Sequence, residues 1–293
     1  MADLHYSFDH PPHLPTTKED TVDRLRLLRS RKVGIATYRR LIAEHGSASA
    51  ALVALPQIAK ASGVADYELY PIARVHAELV AGHKAGAQLI MEGSADYPPS
   101  LSDISDAPPF LWAIGCLALL KRPMVALVGA RNASSLGTRM AKKLAEELAA
   151  QGITVVSGLA RGIDAAAHIG ALAGGTIAVQ AGGVDVIYPA ENGKLADDIA
   201  KSGLRLSEMP MGLQPQARHF PARNRISSGL AQAVVVVEAA AKSGSLMTAR
   251  NALDQGRDVL AVPGHPFDAR DWGCNMLIRD GATLVRSASD VIE

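Results

Sequence analysis

The chain has 293 residues, 48% of them apolar and 4% aromatic, which suits one large or two medium hydrophobic cores and excludes collagen-like, disordered and coiled-coil classes. Lys plus Arg number 30 against 29 Asp plus Glu, so a formal net charge of +1 neither marks nor excludes a nucleic-acid binder, and the distribution of charge has to decide. Two distant cysteines, Cys116 and Cys274, argue against a disulfide scaffold or zinc site and fit a reducing cytoplasm, while the longest uncharged apolar run, Pro108 to Leu120, is shorter than the roughly 20 residues of a bilayer-spanning helix.

The N-terminus, Met1 to Asp20, is acidic and rich in Pro and His rather than signal-like, and it reads as a loose leader to a soluble, unexported protein. From Thr21, which offers an N-cap, Leu25, Leu28, Tyr38, Leu41 and Ile42 recur at helical spacing. Breaks at Val33-Gly-Ile, His45-Gly-Ser, Leu55-Pro-Gln and Ser62-Gly-Val divide this stretch into short helices, a small all-helical domain over residues 21–85. Its charge is nearly balanced, with 11 basic and 9 acidic residues between Met1 and Ala87, which weakens any claim that it grips phosphates.

After Gly86 apolar β-branched runs alternate with helical stretches. Strands are expected at Leu89–Met91, Phe110–Ile114, Val125–Val128, Ile153–Val156, Thr176–Val179, Leu204–Leu206, Val234–Val237 and Val259–Val262. Helices are expected at Thr138–Ala150, Ile163–Ala173, Leu195–Lys201, Arg225–Gln232 and Leu246–Gln255. Continuously apolar strands between helices mean a sheet covered on both faces. Residues 86–293 are therefore expected to form a doubly wound, mostly parallel α/β sheet of extended Rossmann-like type.

In such a sheet ligands bind beyond the carboxyl ends of the strands. The segments expected there are Gly129-Ala-Arg-Asn-Ala-Ser-Ser, Ser157-Gly-Leu-Ala-Arg-Gly-Ile-Asp, Ala181-Gly-Gly-Val-Asp, Ser207-Glu-Met-Pro, Glu238 with Lys242-Ser-Gly-Ser, and Pro263-Gly-His-Pro. Glycines allow close backbone approach, hydroxyls and helix N-terminal amides donate hydrogen bonds, and Arg or Lys neutralises charge, which together describe an anion site with phosphate as the anion. Ser134 or Ser135 would serve equally as a helix cap, and spacing alone leaves both roles open, with Arg131 tilting toward the anion. Asp164 and His168, four apart on one helix face, read as an ordinary helical contact or cap rather than an acid/base pair. No GxGxxG follows the first strong strand, and neither a P-loop nor a Ser-centred elbow occurs, so no catalytic residue, cofactor or metal is expected.

Between Arg218 and Arg257 six basic residues face two acidic ones, a local net of +4. There Phe220-Pro-Ala-Arg-Asn-Arg sets an aromatic ring beside two guanidiniums just before a helix, a pattern suited to stacking a base and neutralising a single-stranded backbone. The other reading packs Phe220 in the core and pairs the arginines with Glu208 or Glu238.

At these residues the chain resembles the DNA-processing protein A (DprA/Smf) family, the single-stranded DNA binders of natural transformation. The resemblance rests on Gly129-Ala-Arg-Asn-Ala-Ser, Ser157-Gly-Leu-Ala-Arg-Gly-Ile-Asp-Ala-Ala-Ala-His, Gly182-Gly-Val-Asp-Val-Ile-Tyr-Pro, Phe220-Pro-Ala-Arg-Asn-Arg-Ile, Lys242-Ser-Gly-Ser-Leu-Met-Thr-Ala and Val262-Pro-Gly, in order between Gln88 and Val285. It implies a non-enzymatic protein that protects incoming single strands, helps load the RecA recombinase and forms a homodimer through the sheet domain. It also implies DNA contacts from Arg131, Phe220, Arg223, Asn224, Arg225, Lys242, Ser243 and Ser245. With Gly129, Ser134, Ser135, Gly158 and Gly244 these make up the expected DNA-binding set. One motif, usually written with three glycines, reads Ala181-Gly-Gly here, a change too small to close the crevice. Many members append a winged-helix domain, which the residues up to Glu293 do not include, and the helical domain resembles the sterile-alpha-motif-like or helix-hairpin-helix-like extension of the family.

The competing class is a nucleotide-processing enzyme of the lysine-decarboxylase-like phosphoribohydrolase group, which would show a PGGxGTxxE-like stretch. Here the corresponding segment reads Glu238-Ala-Ala-Ala-Lys-Ser-Gly-Ser-Leu-Met-Thr-Ala, without the paired glycines or the following glutamate. A purely protein-binding adaptor would leave the strand-end arginines unexplained.

Overall fold

A computed structural model describes residues 17–293. Four helices come first: α1 (Lys18–Arg29), α2 (Ile35–His45), α3 (Ala48–Ala61) and α4 (Ile72–Lys84). The first starts earlier than expected. Thr17, not Thr21, is its N-cap, accepting the Asp20 N–H at 3.1 Å, and Glu19 and Asp20 favour the positive end of the helix dipole. Residues 18–20, expected in the leader, are thus helical, and the rest of that expectation lies outside the described residues. Leu27, Tyr38, Leu41, Leu52 and Leu55 meet in a small core of their own.

The rest of the chain runs β1 (Gln88–Met91), α5 (Pro99–Ser102), β2 (Phe110–Gly115), β3 (Met124–Gly129), α6 (Ser135–Ala150), β4 (Thr154–Ser157), α7 (Ile163–Ala171) and β5 (Thr176–Val179). It continues with α8 (Gly193–Ser202), β6 (Leu204–Ser207), α9 (His219–Leu230), β7 (Ala233–Glu238), α10 (Gly244–Asp254), β8 (Asp258–Ala261), α11 (Trp272–Arg279), β9 (Thr283–Leu284) and α12 (Ser289–Ile292). All nine strands form one sheet in the order β1-β2-β6-β5-β4-β3-β7-β8-β9. It is parallel from β6 to β9 and antiparallel only where β2 meets β6 and β1 meets β2. The mostly parallel, doubly wound architecture is as expected. Neither α11 nor β9 was anticipated: β9 is only two residues long, too short for a strand pattern, and α11 carries Gly273 and Asn275, residues that usually mark a break.

Both faces of the sheet are covered. On one, Ala126, Val128, Ile177, Val234 and Val236 pack with Ile226 and Leu230 of α9 and Ala249 of α10; on the other, Val125, Leu127, Val155 and Val235 pack with Leu144 and Leu148 of α6 and Ile163 of α7. Each such Val, Leu or Ile side chain contributes about 1.5–3 kcal/mol when fully buried, and burial on both faces is why the strands read as unbroken apolar runs. The helical domain seats on β2, where Leu25 and Val75 pack against Phe110. Beside this contact Arg29 binds Glu78 at 2.8 Å and donates to the Glu208 carbonyl at 3.2 Å, and Trp112 Nε1 donates to the same Glu78 at 2.9 Å.

Candidate nucleic-acid interface

The strands succeed one another outward from β3 through β4, β5 and β6 on one side and through β7, β8 and β9 on the other, so the order reverses between β3 and β7. At such a switch point the diverging loops leave a crevice beyond the carboxyl ends of the strands. Here Gly129 stands opposite Glu238 across a register shift. The buried Glu238 carboxylate turns back on the β3–α6 loop, accepting the Ser134 N–H at 3.0 Å and the Ser134 hydroxyl. That hydroxyl also accepts the Gly137 N–H at 2.9 Å, so Ser134 takes the capping role on α6, and Ser135 opens the helix exposed.

Above this floor Arg131 is exposed, and its guanidinium carbon lies 4.9 Å from the centroid of the Phe220 ring. Tyr188, from the loop after β5, stands 5.9 Å from the same ring at 54° and is half exposed. Among the described residues Arg131 and Lys242 have no carboxylate partner within salt-bridge distance, nor do the exposed Arg218 and Arg250. Lys242 precedes α10, whose N-cap is Ser243. The Ser243 hydroxyl meets the Ser245 hydroxyl at 2.6 Å, and Gly244 opens the helix.

The Phe220 motif lies within α9 rather than before it. The helix begins at His219, and Pro221 is tolerated because the first helical turn has no intrahelical use for its missing N–H. Arg223 and Arg225, two apart on a helix, point to nearly opposite sides. Arg223 goes inward. It is buried, donates to the Val179 carbonyl at 2.9 Å and to Asn224 Oδ1 at 3.2 Å, and lies against Gly158, where a Cβ would overlap its guanidinium. Asn224 in turn reaches the Gly244 carbonyl at 3.5 Å. Arg225 goes to the other side and binds Glu208 at 2.7 Å and Asp106 at 2.9 Å. Burial pushes the Glu208 carboxyl above its ordinary value, and Arg225 pulls against that rise. The DNA contacts that the resemblance implies for Arg223 and Arg225 are not what their surroundings favour: Arg225 is taken up by carboxylates, Glu208 among them as the other reading of the motif has it, Arg257 is held by Asp103 at 3.7 Å, and Arg223 lies beneath the rim.

Under Gly158 sits a buried polar knot. His168 Nε2 accepts the Leu159 N–H at 3.2 Å and its Nδ1 meets the Thr176 hydroxyl at 2.7 Å. Asp164 accepts the Ala160 N–H at 3.3 Å, and burial raises its carboxyl above the usual range while Arg223 opposes the rise. Burial and then Arg223 push the His168 ring down to about 3, so it stays neutral. These bonds hold a turn in which Leu159 takes a positive φ of 56° and Gly162 one of 70°, where a Cβ would meet the Ala130 carbonyl. Asp164 and His168 bond the backbone ahead of α7, so of the two ordinary readings the cap describes this geometry.

Tyr188, next to last in the Gly182 motif, was not singled out from the sequence, because an aromatic in a strand-end loop carries no periodic signal; the fold sets it beside Phe220. Among the described residues no group of three or more His, Cys, Asp or Glu could hold a metal, and no helix is long and apolar enough to cross a membrane.

A mostly parallel sheet whose switch-point crevice is edged by a cation resting on an aromatic ring, fused to a helical domain, defines a doubly wound α/β protein. Family models sharpen this: residues 88–293 match that of DNA recombination-mediator protein A, and residues 18–81 that of the DprA-like N-terminal HHH domain. The chain belongs to the DNA processing protein A (DprA/Smf) family. It is 49% identical over 198 residues to DNA processing protein DprA of Streptococcus pneumoniae, covering 67% of this chain and 70% of that one. With its counterpart in Bacillus subtilis the figures are 45% over 218 residues and 73% of each. The X-ray structure of the pneumococcal protein superposes with a TM-score of 0.73 at 37% identity, covering 93% of both chains. That of DNA processing protein A from Helicobacter pylori, described for its unique single-stranded DNA binding mode, gives 0.65 at 31% identity over 70% of this chain and 94% of that one. These relatives do not favour the phosphoribohydrolase alternative.

Proposed function

We propose that this protein binds single-stranded DNA along the carboxyl-end rim of its sheet and performs no chemical turnover there. The observation that carries the reading is the Arg131 guanidinium resting on the Phe220 ring with no carboxylate among the described residues within salt-bridge distance. A phosphate set against Arg131 leaves Phe220 and Tyr188 placed for a base, and Lys242 with the Ser243–Ser245 turn at the start of α10 serves a second phosphate. Gly129, Ser134 and Ser135 bring backbone close to the strand, while Gly158, Arg223, Asn224 and Arg225 hold α9 in place from below rather than touching DNA. The single-stranded DNA binding described for the Helicobacter pylori protein supports this reading.

Within it, the protein acts in the cytoplasm during DNA uptake and natural transformation, protects incoming strands, works as a homodimer that lengthens the DNA track, and helps load RecA. Fluorescence anisotropy with a labelled oligonucleotide, single-stranded or annealed to its complement, tests it. Tighter binding of the single strand, lost in Arg131→Ala, is expected, and a preference for duplex refutes it. Incubation with nucleoside monophosphates is expected to release no free base.

A further inference from the structure

Beyond Lys242 the rim carries a second aromatic group that the site above leaves unused. The segment from β8 to α11 holds His265, Phe267 and Trp272. Phe267 is 93% exposed, its ring centroid lies 5.6 Å from that of His265, and Trp272 is 51% exposed. Water would favour folding such rings away, yet this loop is braced to display them. Trp272 Nε1 donates to the Pro266 carbonyl at 2.8 Å, the His265 N–H donates to Asp271 at 3.0 Å, and Gly264 and Asn275 exchange two bonds of 3.1 Å each. The local acids are engaged: Asp268 is held by Arg270 at 2.7 Å and Asp271 by the His265 backbone.

The position matters as much as the exposure. The Gly273 N–H donates to the Ala239 carbonyl at 2.7 Å, which ties this loop to the one that follows Glu238 and leads to Lys242. In the sheet β8 is two places from β3, with β7 between, so the loop bases stand about 10 Å apart at the usual strand spacing. A single strand running along the rim covers that lateral spacing between the loop bases in about three nucleotides at the 3.4 Å rise of a stacked chain.

We propose that the loop between β8 and α11 with the first residue of that helix, through Phe267 and Trp272, is a second base-stacking platform for single-stranded DNA, continuing the track from Phe220 past Lys242. The inference rests on the single-strand reading above and names a further subsite within it. Stacking on aromatic faces is sequence-tolerant, so the platform extends the footprint without adding base preference.

The chain has two tryptophans, and Trp112 is 2% exposed against the 51% of Trp272, so a stacking change in tryptophan emission reports on Trp272. The test titrates the full chain with labelled oligothymidylates from about 4 to about 16 nucleotides, the range of single-strand sites, following label anisotropy and tryptophan emission together. The expected result is quenching by long strands but not by the shortest, abolished in Trp272→Phe. In Phe267→Ala the long strands are expected to bind roughly 5- to 100-fold more weakly while the shortest bind unchanged. Anisotropy without quenching, together with a Phe267→Ala variant that binds every length like the parent, overturns the platform and leaves the crevice reading intact. Absence of any binding overturns the crevice reading itself. Emission that shifts with protein concentration before DNA is added, and is then insensitive to it, assigns the rings to contact between copies and overturns the platform too.

Discussion

The backbone of Gly158 lies directly against the guanidinium of Arg223, so that a single Cβ at position 158 would occupy the space of the arginine head. This contact links the turn after β4 to α9, the helix that carries Phe220, and through Val179 it reaches the end of β5. The floor of the crevice is therefore one mechanical unit, with Arg223 as its post.

Gly158→Ala is expected to displace Arg223 and cost about 1–3 kcal/mol of stability, the usual penalty of overpacking a closed site. It should also weaken single-strand binding, because the Phe220 ring moves with α9. Urea denaturation beside anisotropy checks both. A variant with parental stability would show that the arginine has room to swing aside.

Arg225 and Arg131 are expected to part company. Arg225→Ala strands Glu208, whose side chain is 15% exposed, and should cost about 3 kcal/mol. Arg131→Ala removes an exposed cation–ring contact and should cost under about 1 kcal/mol while abolishing most DNA affinity. Thermal melts of the two variants decide, and equal destabilisation would contradict the division between supporting and contacting arginines.

Much of this could be read in the residues beforehand, and what could not has physical causes. Unbroken runs such as Val234–Val237 announce a strand buried on both faces, and the glycine and serine turns must then fall at the strand ends. Arg223 and Arg225, by contrast, are the same residue type in the same motif. Their opposite roles follow from helix rotation and from Glu208 and Asp106, which only the fold brings near. The pairing of Arg131 with Phe220 is equally invisible, since 89 residues separate them. The start of α1 after Thr17 was missed because Thr21, with the same hydroxyl side chain just ahead of the apolar repeat, offers the same capping chemistry.

His168 makes stability depend on pH. Its ring titrates near 3 when folded against an ordinary 6.5, so the unfolded chain binds more protons between those values and stability falls as pH drops through that window. Asp164, raised by burial, acts in the opposite direction above its ordinary value and partly masks the effect. His168→Gln keeps an acceptor for the Leu159 N–H and should flatten the decline between pH 7 and pH 4 by a few kcal/mol, at the cost of lower stability at pH 7. Urea midpoints of parent and variant across that range are the check, and parallel curves would remove His168 from the account.

The central claim is that a polyanion is neutralised at the rim by named cations, and the salt dependence of single-strand affinity tests it most directly. Each phosphate neutralised contributes a slope of about 0.7 in log K against log salt. Lys242→Ala and Arg131→Ala are each predicted to bind more weakly with a slope shallower than the parent by about that amount. Variants that keep the parental slope and affinity would contradict the claim.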